Sequence, residues 1–338
     1  MRASIVVVSY NSRAYLGACL ASLQNAARRD DELIVVDNGS TDGSGDLVAQ
    51  LFPNVRLIRA ENTGYAGGNN RGAAVTEGDY LVFINPDTVV HPGAIDALVA
   101  PLAKGGEVAL TTACITLLSQ PETINACGNT VHYTGLAYCR GAGKPVAEYA
   151  ASAEVDAVSG AAFAIRRSVF EELGGFDEQF FMYVEDTDLS LRARLSGYRC
   201  WYAAGARVQH DYHPSYTPQK AFYLDRNRHL MLLKNLSRET YMRLLPGLLL
   251  GEVVTWGFLI VRGYWGVKPR VYAALWRNRR SLNDVQRGRS RRAEALVSRL
   301  THRLEFGQLA GRAASAAAGA LFHPAFWLAQ RAVGGGEA

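Results

Sequence analysis

Three carboxylates within four positions, Glu185, Asp186 and Asp188, stand directly behind the aromatic run Phe180-Phe181-Met182-Tyr183 and directly ahead of a helical pattern, Thr187–Leu195. Like charges beside apolar rings cost stability, so such clusters are kept for proton transfer or for a cation. The same residues also suit a helix start, where carboxylates meet the positive end of the helix dipole. Other polar groups follow short β-branched runs. Asp37 opens the turn Asn38-Gly39-Ser40-Thr41-Asp42-Gly43 after Glu32–Val36. Its oxygens can accept from a nucleobase or a ribose hydroxyl, or simply hold the turn. Asp87 follows Leu81–Ile84 in Asn85-Pro86-Asp87. There it either caps the helix after Pro92 or binds a hard divalent cation that bridges a diphosphate, since such cations take one or two carboxylates plus phosphate oxygens. His210 ends the run Ala206–Gln209 and is either a structural histidine or a second ligand beside Asp87. Between the Asp37 and Asp87 turns, Gly64, Gly67 and Gly68 allow close backbone approach to a ligand, with Arg71 in reach of phosphate. This is neither a dinucleotide fingerprint behind the first strand nor a Walker loop, which argues against a dehydrogenase or an ordinary NTPase.

The elements that position these residues follow from periodicity. Ser4–Ser9, Glu32–Asp37, Val55–Arg59 and Tyr80–Ile84 read as buried strands, with helical spacing at Leu16, Cys19, Leu20, Leu23 and again at Leu47, Val48, Leu51. Strand–helix alternation of this kind predicts an α/β, Rossmann-like, mostly parallel sheet flanked by helices, with ligands at the carboxyl ends of its strands. Gly, Thr and Tyr around Gly128–Gly143 predict a hairpin or mobile loop, and helical periodicity returns at Ser168–Leu173 and after Pro218. The domain division expected is an α/β part, 1–236, with a strand–helix half to about 110 and a less regular half from 111 to 236, and a helical, basic region over 237–338.

The 338-residue chain carries a net charge of +5 that is unevenly spread. From Arg262 to Arg303 there are twelve Arg and Lys against Asp284 and Glu294, leaving 24 basic and 29 acidic residues elsewhere. A basic late segment on a mildly acidic body predicts contact with an anionic surface. The apolar run Leu244–Val261, interrupted by Glu252 and broken by Pro246, Gly247, Gly251 and Gly257, is at the lower limit of a membrane span. With Trp256, Trp265 and Trp276 nearby it reads as a helix in or dipping into the membrane interface, the competing reading being a buried core helix. No secretory signal is legible, since Ile5–Val8 runs straight into Ser9-Tyr10-Asn11. The five cysteines lack zinc-type pairing and read as packing residues of a reducing, cytoplasmic protein. The tip Gly334-Gly335-Gly336 is expected to be disordered.

Taken in order, the segments Ser4–Asn11, Val36–Gly43, Asn62–Asn69, Asn85-Pro86-Asp87 and Gly174–Arg192 resemble family 2 glycosyltransferases of the inverting GT-A type, the rhamnosyltransferase-like subgroup above all. The resemblance covers about residues 3–235. It implies a nucleoside-diphosphate sugar donor, best matched by dTDP-L-rhamnose with UDP-sugars behind it, and Mg2+ or Mn2+ as cofactor. It places Ser9, Tyr10, Asn11, Asp37, Asn62, Gly64, Gly67, Asn69, Asn85 and Asp87 around the donor, and Asp87 with His210 on the metal. Asp186 becomes the catalytic base, with Glu185, Asp188, Tyr183 and Trp201 beside the acceptor. Asn85 stands where the family has the first Asp of Asp-x-Asp, which removes one anionic ligand. The implied role is synthesis of cell-surface polysaccharide on a glycan or lipid-linked acceptor, peripherally at the inner face of the cell membrane. The competing classes are a sugar-nucleotide pyrophosphorylase, which needs a basic glycine loop after the first strand that Ser9-Tyr10-Asn11-Ser12 does not supply, and an inert nucleotide-sugar binding protein, which has no use for the acidic block. Nucleic-acid binding lacks a recognition motif, and assembly, a homo-oligomer included, is not encoded in these motifs.

Overall fold

The computed structural model describes residues 2–213, 215–278, 290–305 and 312–334. The arginines at 279–289 and the tip residues Gly335 and Gly336 lie outside the described residues. Two compact units form, Met1–Asn129 with Cys139–Pro214, and Thr130–Tyr138 with Ser215–Ala338.

In the first unit β1 (Ala3–Ser9), α1 (Arg13–Ala26), β2 (Glu32–Asp37), α2 (Ser44–Leu51), β3 (Arg56–Arg59), α3 (Gly64–Ala73) and β4 (Tyr80–Ile84) alternate as their periodicity predicts. The strands lie parallel in the order β3-β2-β1-β4. Side chains alternate across each strand, so Ile5 and Val7 join Leu16, Leu20 and Leu23 of α1, whereas Val6 joins Ala66 and Ala73 of α3 on the other face. β3 corrects one expectation: it is the sheet edge rather than a buried strand, with Arg56 and Arg59 exposed. An edge strand buries little, and its Arg-Leu-Ile-Arg sequence supplies only two apolar residues.

Beyond β4 the sheet turns mixed. The elements are β5 (Thr88–Val90), α4 (Ala94–Ala103), β6 (Val108–Leu117), β7 (Gln120–Ala126), β8 (Asn129–Val131), β9 (Ala137–Cys139), β10 (Ala153–Val155), β11 (Ala162–Arg166), α5 (Arg167–Glu172), α6 (Glu185–Leu195) and β12 (Arg199–His210), of which β8 and β9 pair apart in a two-stranded sheet. β11 runs antiparallel between β4 and β6, and β12 lies parallel to β6. β5 folds back on the end of β12, setting Thr88 opposite His210. All five cysteines are free, and Cys19, Cys114, Cys127 and Cys200 are buried as packing residues.

The second unit contains α7 (Pro218–Asn235), α8 (Arg238–Val261), α9 (Val267–Arg277) and the helices Ser290–Arg299 and Arg312–Gly334. Thr217 and Ser237 cap α7 and α8, each side chain accepting from a backbone N–H three residues on. Among the described residues α8 alone is long and apolar enough to cross a membrane by length and composition. Its midpoint is nevertheless tied to its neighbours. Glu252 accepts from Arg228 Nη2 of α7 and, at 2.8 Å, from Lys268 Nζ of α9, and both cations are essentially fully buried. Asp225 completes the network, 2.8 Å from Arg228 Nε and 2.9 Å from Lys268 Nζ. Burial alone would raise the Glu252 carboxyl, but His229, Arg228 and Lys268 hold it well below the ordinary range. Asp225, His229 and Glu252 have the atom types of a metal cluster. The Lys268 ammonium already fills that role, and with Arg228 it balances both carboxylates.

Candidate active site

The carboxyl ends of β1, β2 and β4 gather the first group of expected site residues. Asp37, buried at the end of β2, accepts from the Ser40 N–H at 3.1 Å, and Arg59 approaches its other oxygen at 3.9 Å. Asn11 (φ +50°) accepts from the Thr41 N–H at 2.8 Å, so the β1 and β2 turns are laced together. Beside them Tyr10 is half exposed, while the Ser9 hydroxyl is buried without a hydrogen-bond partner. Asn38 bridges to the next segment, donating to the Gly64 carbonyl at 2.9 Å and accepting from the Thr63 N–H. Asn62 accepts from the Gly64 N–H at 2.9 Å and Asn69 donates to the Tyr65 carbonyl at 2.9 Å, so both support α3.

The glycine segment is itself the helix, and protein atoms fill the space its glycines leave. A side chain on Gly64 (φ +72°) would strike the Phe181 carbonyl, on Gly67 the Thr63 side chain, and on Gly72 the Val6 side chain. Arg71 corrects the phosphate expectation. It lies in the last turn of α3, which runs back against the strand direction and so ends toward the opposite sheet edge.

Asp87 and His210 are brought together by the β5–β12 pairing. His210 Nδ1 lies 2.9 Å from Asn125 Oδ1. An amide oxygen only accepts, so Nδ1 donates here and the ring turns Nε2 toward Asp87. That nitrogen is 3.2 Å from Asp87 Oδ1, a buried oxygen that no hydrogen-bond donor reaches. A carboxylate oxygen and an imidazole nitrogen thus converge, and this oxygen–nitrogen donor set suits a divalent cation. Asn85 is fixed beside them through its N–H to the Ala161 carbonyl at 2.9 Å.

The acidic block opens α6 from a strained approach. Phe181 (φ +63°), Tyr183 (φ +66°) and Val184 (φ +72°) all occupy left-handed backbone without being glycine. Such conformations cost about 1–3 kcal/mol each and persist where the surroundings impose them, commonly at functional sites. They deliver Asp186 to the loop before β11. Its Oδ2 accepts from the Gly160 N–H at 2.7 Å and from Asn129 Nδ2 at 3.4 Å, and its Oδ1 from the Thr187 N–H at 2.6 Å. Tyr65 in turn donates to the Gly160 carbonyl at 2.6 Å. Burial pushes the Asp186 carboxyl up against the pull of these donors. Burial, then the charges of Asp186 and Asp188, drive Glu185 well above the ordinary value, and its Oε2 is buried without a partner.

Two residues assigned to the acceptor side lie elsewhere. Asp188 is buried and held by Arg192 Nε at 2.7 Å, and Arg192 also donates to the Leu173 and Gly175 carbonyls, so the pair fastens the loop behind α6. Trp201 sits between Cys200 and Tyr202, which share a cluster with Leu189 of α6. Strand alternation therefore turns Trp201 to the opposite sheet face, where Arg199 covers its ring. Sequence reasoning missed Asn38, Asn125, Asn129 and the Gly160 N–H. Asn125 and Asn129 are single asparagines in strands and carry no spacing signal, Asn38 reads only as a turn residue, and a backbone donor carries no signal at all.

Known proteins resemble this chain in sequence and in fold. A family model described as "Glycosyl transferase family 2" matches residues 4–135, and one described as "Glycosyl transferase family group 2" matches residues 80–277. The N-acetylglucosaminyl-diphospho-decaprenol L-rhamnosyltransferase of Mycobacterium tuberculosis is 30% identical over 234 residues, covering 61% of this chain and 75% of that protein. Among solved structures, S. aureus TarS 1-349 in complex with UDP-GlcNAc superposes with a TM-score of 0.55 at 15% identity, covering 99% of this chain and 92% of TarS. GalNAc-T7 with UDP, GalNAc and Mn2+ gives 0.57 at 19% identity over 69% of this chain, which spans 48% of GalNAc-T7. At these identities the structural likeness concerns the fold, which is GT-A.

Proposed function

Because this chain belongs to glycosyltransferase family 2, we propose that it is an inverting rhamnosyltransferase using dTDP-L-rhamnose and a hydroxyl of a glycan or lipid-linked acceptor. The observation that carries the chemistry is the buried Asp87 Oδ1, without a hydrogen-bond donor, facing His210 Nε2 at 3.2 Å. The choice of rhamnose rests on the L-rhamnosyltransferase relative.

Asp37 and the Ser9–Asn11 turn border the base and ribose of the donor. Asp87 and His210 hold Mg2+ or Mn2+, which when bound offsets the charge developing on the departing diphosphate. Asp186 takes the proton of the acceptor hydroxyl as that oxygen attacks the anomeric carbon from the face opposite the leaving group. The new glycosidic bond forms as the carbon–oxygen bond to the diphosphate breaks. Glu185, whose carboxyl burial drives up and whose Oε2 meets no donor, stands beside Asp186 as the second carboxyl, and Tyr183 borders the acceptor. We assign catalysis to residues 1–236 and a peripheral, cytoplasmic-face membrane contact to the basic region beyond it. Calorimetry with Mn2+ tests the donor half: dTDP-L-rhamnose should bind more tightly than UDP- or GDP-sugars, and Asp87→Ala should abolish the metal-dependent part. Equal binding of all donors, or none lost in Asp87→Ala, contradicts the assignment.

A further inference from the structure

The peripheral contact just proposed leaves open which surface meets the lipid and whether α8 crosses it. We propose that one face of α8, continued onto α9, is a monotopic docking surface that lies in the interface of an anionic phospholipid bilayer without spanning it. α8 has two distinct sides. Leu244, Leu248, Gly251, Val254 and Leu259 are buried, whereas Met242, Leu249, Val253 and Ile260 are each more than half exposed. At 100° per residue those four share one side of the helix with Pro246 and Gly257, a charge-free strip about 27 Å long. A monomeric soluble surface rarely leaves such a strip to water.

Spanning requires every side of a helix to meet lipid or protein across the bilayer. Glu252 prevents α8 from leaving its neighbours. Its carboxylate satisfies Arg228 and Lys268, and withdrawing it would leave two buried cations sharing the single carboxylate of Asp225. Only the outward side is available. The strip continues onto α9 because Trp256 Nε1 donates to Tyr272 Oη at 3.0 Å, joining the two helices at the surface. α9 exposes Tyr272, Ala273 and Trp276, flanked by exposed Arg270 and Arg277, and Trp265 with Arg262 is exposed at the corner between the helices. The chain has no carboxylate from Val253 to Asn278. Apolar and aromatic groups beside unopposed arginines complement an anionic headgroup layer. A second copy could cover the apolar strip but would bring these arginines against their own kind.

Sedimentation of the full chain with sucrose-loaded vesicles, phosphatidylcholine alone or with about three parts in ten phosphatidylglycerol, tests the surface. Wild type should partition to the anionic vesicles and be extracted by alkaline carbonate. Leu249→Glu with Val253→Glu should weaken partitioning by about tenfold or more. Arg270→Glu with Arg277→Glu should remove the preference for phosphatidylglycerol, and Leu51→Glu, at an exposed position of α2 in the other unit, should change nothing. Wild-type partitioning by L249E/V253E overturns this surface while the peripheral reading stands. Failure of wild type to bind overturns both. Carbonate-resistant protein means α8 spans, and a lipid-free drop in mass on mutation means the strip joins two copies.

Discussion

Asp186 and Glu185 differ by one residue and by the company their carboxylates keep. Asp186 collects backbone, threonine and asparagine donors, whereas Glu185 has a buried oxygen with none. Asp186→Asn should reduce turnover by about 10³-fold while leaving donor affinity within about twofold, because a general base contributes roughly 10²–10⁴ and does not hold the nucleotide. Retained turnover in steady-state assays contradicts its role. Burial raises both carboxyls in the folded state, and the sign of the pH effect follows. A group whose folded pKa lies above its unfolded value favours folding most when protonated, and that contribution is lost as pH rises from the unfolded value through the folded one. For Glu185 the loss begins above its ordinary value of 4.5. Glu185→Gln should therefore melt higher than wild type at neutral pH, with the difference shrinking as pH approaches 4.5; a pH-independent difference in melting temperature contradicts this. Strand-end position made Asp37, Asp87 and His210 legible in the sequence, since a β-branched run points to its own carboxyl edge. Asn125 and Asn129 were not legible, because only β-pairing brings them to His210 and Asp186.

At the scale of elements, the glycines of α3 were legible as a close-approach signal but not for the partner approached. Gly64, Gly68 and Gly72 recur every four residues, which is the spacing of one helix face, and Gly68 and Gly72 of that face meet Val8 and Val6 of β1. A helix so rich in glycine has poor intrinsic propensity, and packing on the sheet makes it form. Gly72→Ala should lower unfolding free energy in urea by about 1–3 kcal/mol through overpacking. Val6→Ala in the same chain should return part of it. Full additivity of the two losses contradicts the contact. Trp201 illustrates the complementary limit, since an aromatic in a strand reads the same from sequence whichever face it takes. The mixed half of the sheet was likewise hidden, because β11 inserts antiparallel between β4 and β6 through pairings that no local pattern encodes.

At the scale of the whole molecule, the apolar run and the basic segment were legible, and Glu252 stood out as the interruption. Its partners were not legible, because Arg228 and Lys268 lie 24 and 16 residues away and meet it only after three helices pack. Lys268→Met should destabilise the second unit by about 3–5 kcal/mol by leaving buried carboxylates short of a cation, and adding Glu252→Leu should recover much of that loss. No recovery in the double variant, measured by chemical denaturation, contradicts the charge-balance account. The central claim concerns sugar transfer, and one measurement meets it directly. Full-length protein is incubated with Mn2+, a panel of nucleotide sugars and a membrane lipid extract, and products are read by mass spectrometry. A metal-dependent deoxyhexose addition from dTDP-L-rhamnose is expected, absent with Asp186→Asn. Transfer of a different sugar in preference, or an identical product profile with the Asp186→Asn protein, contradicts it.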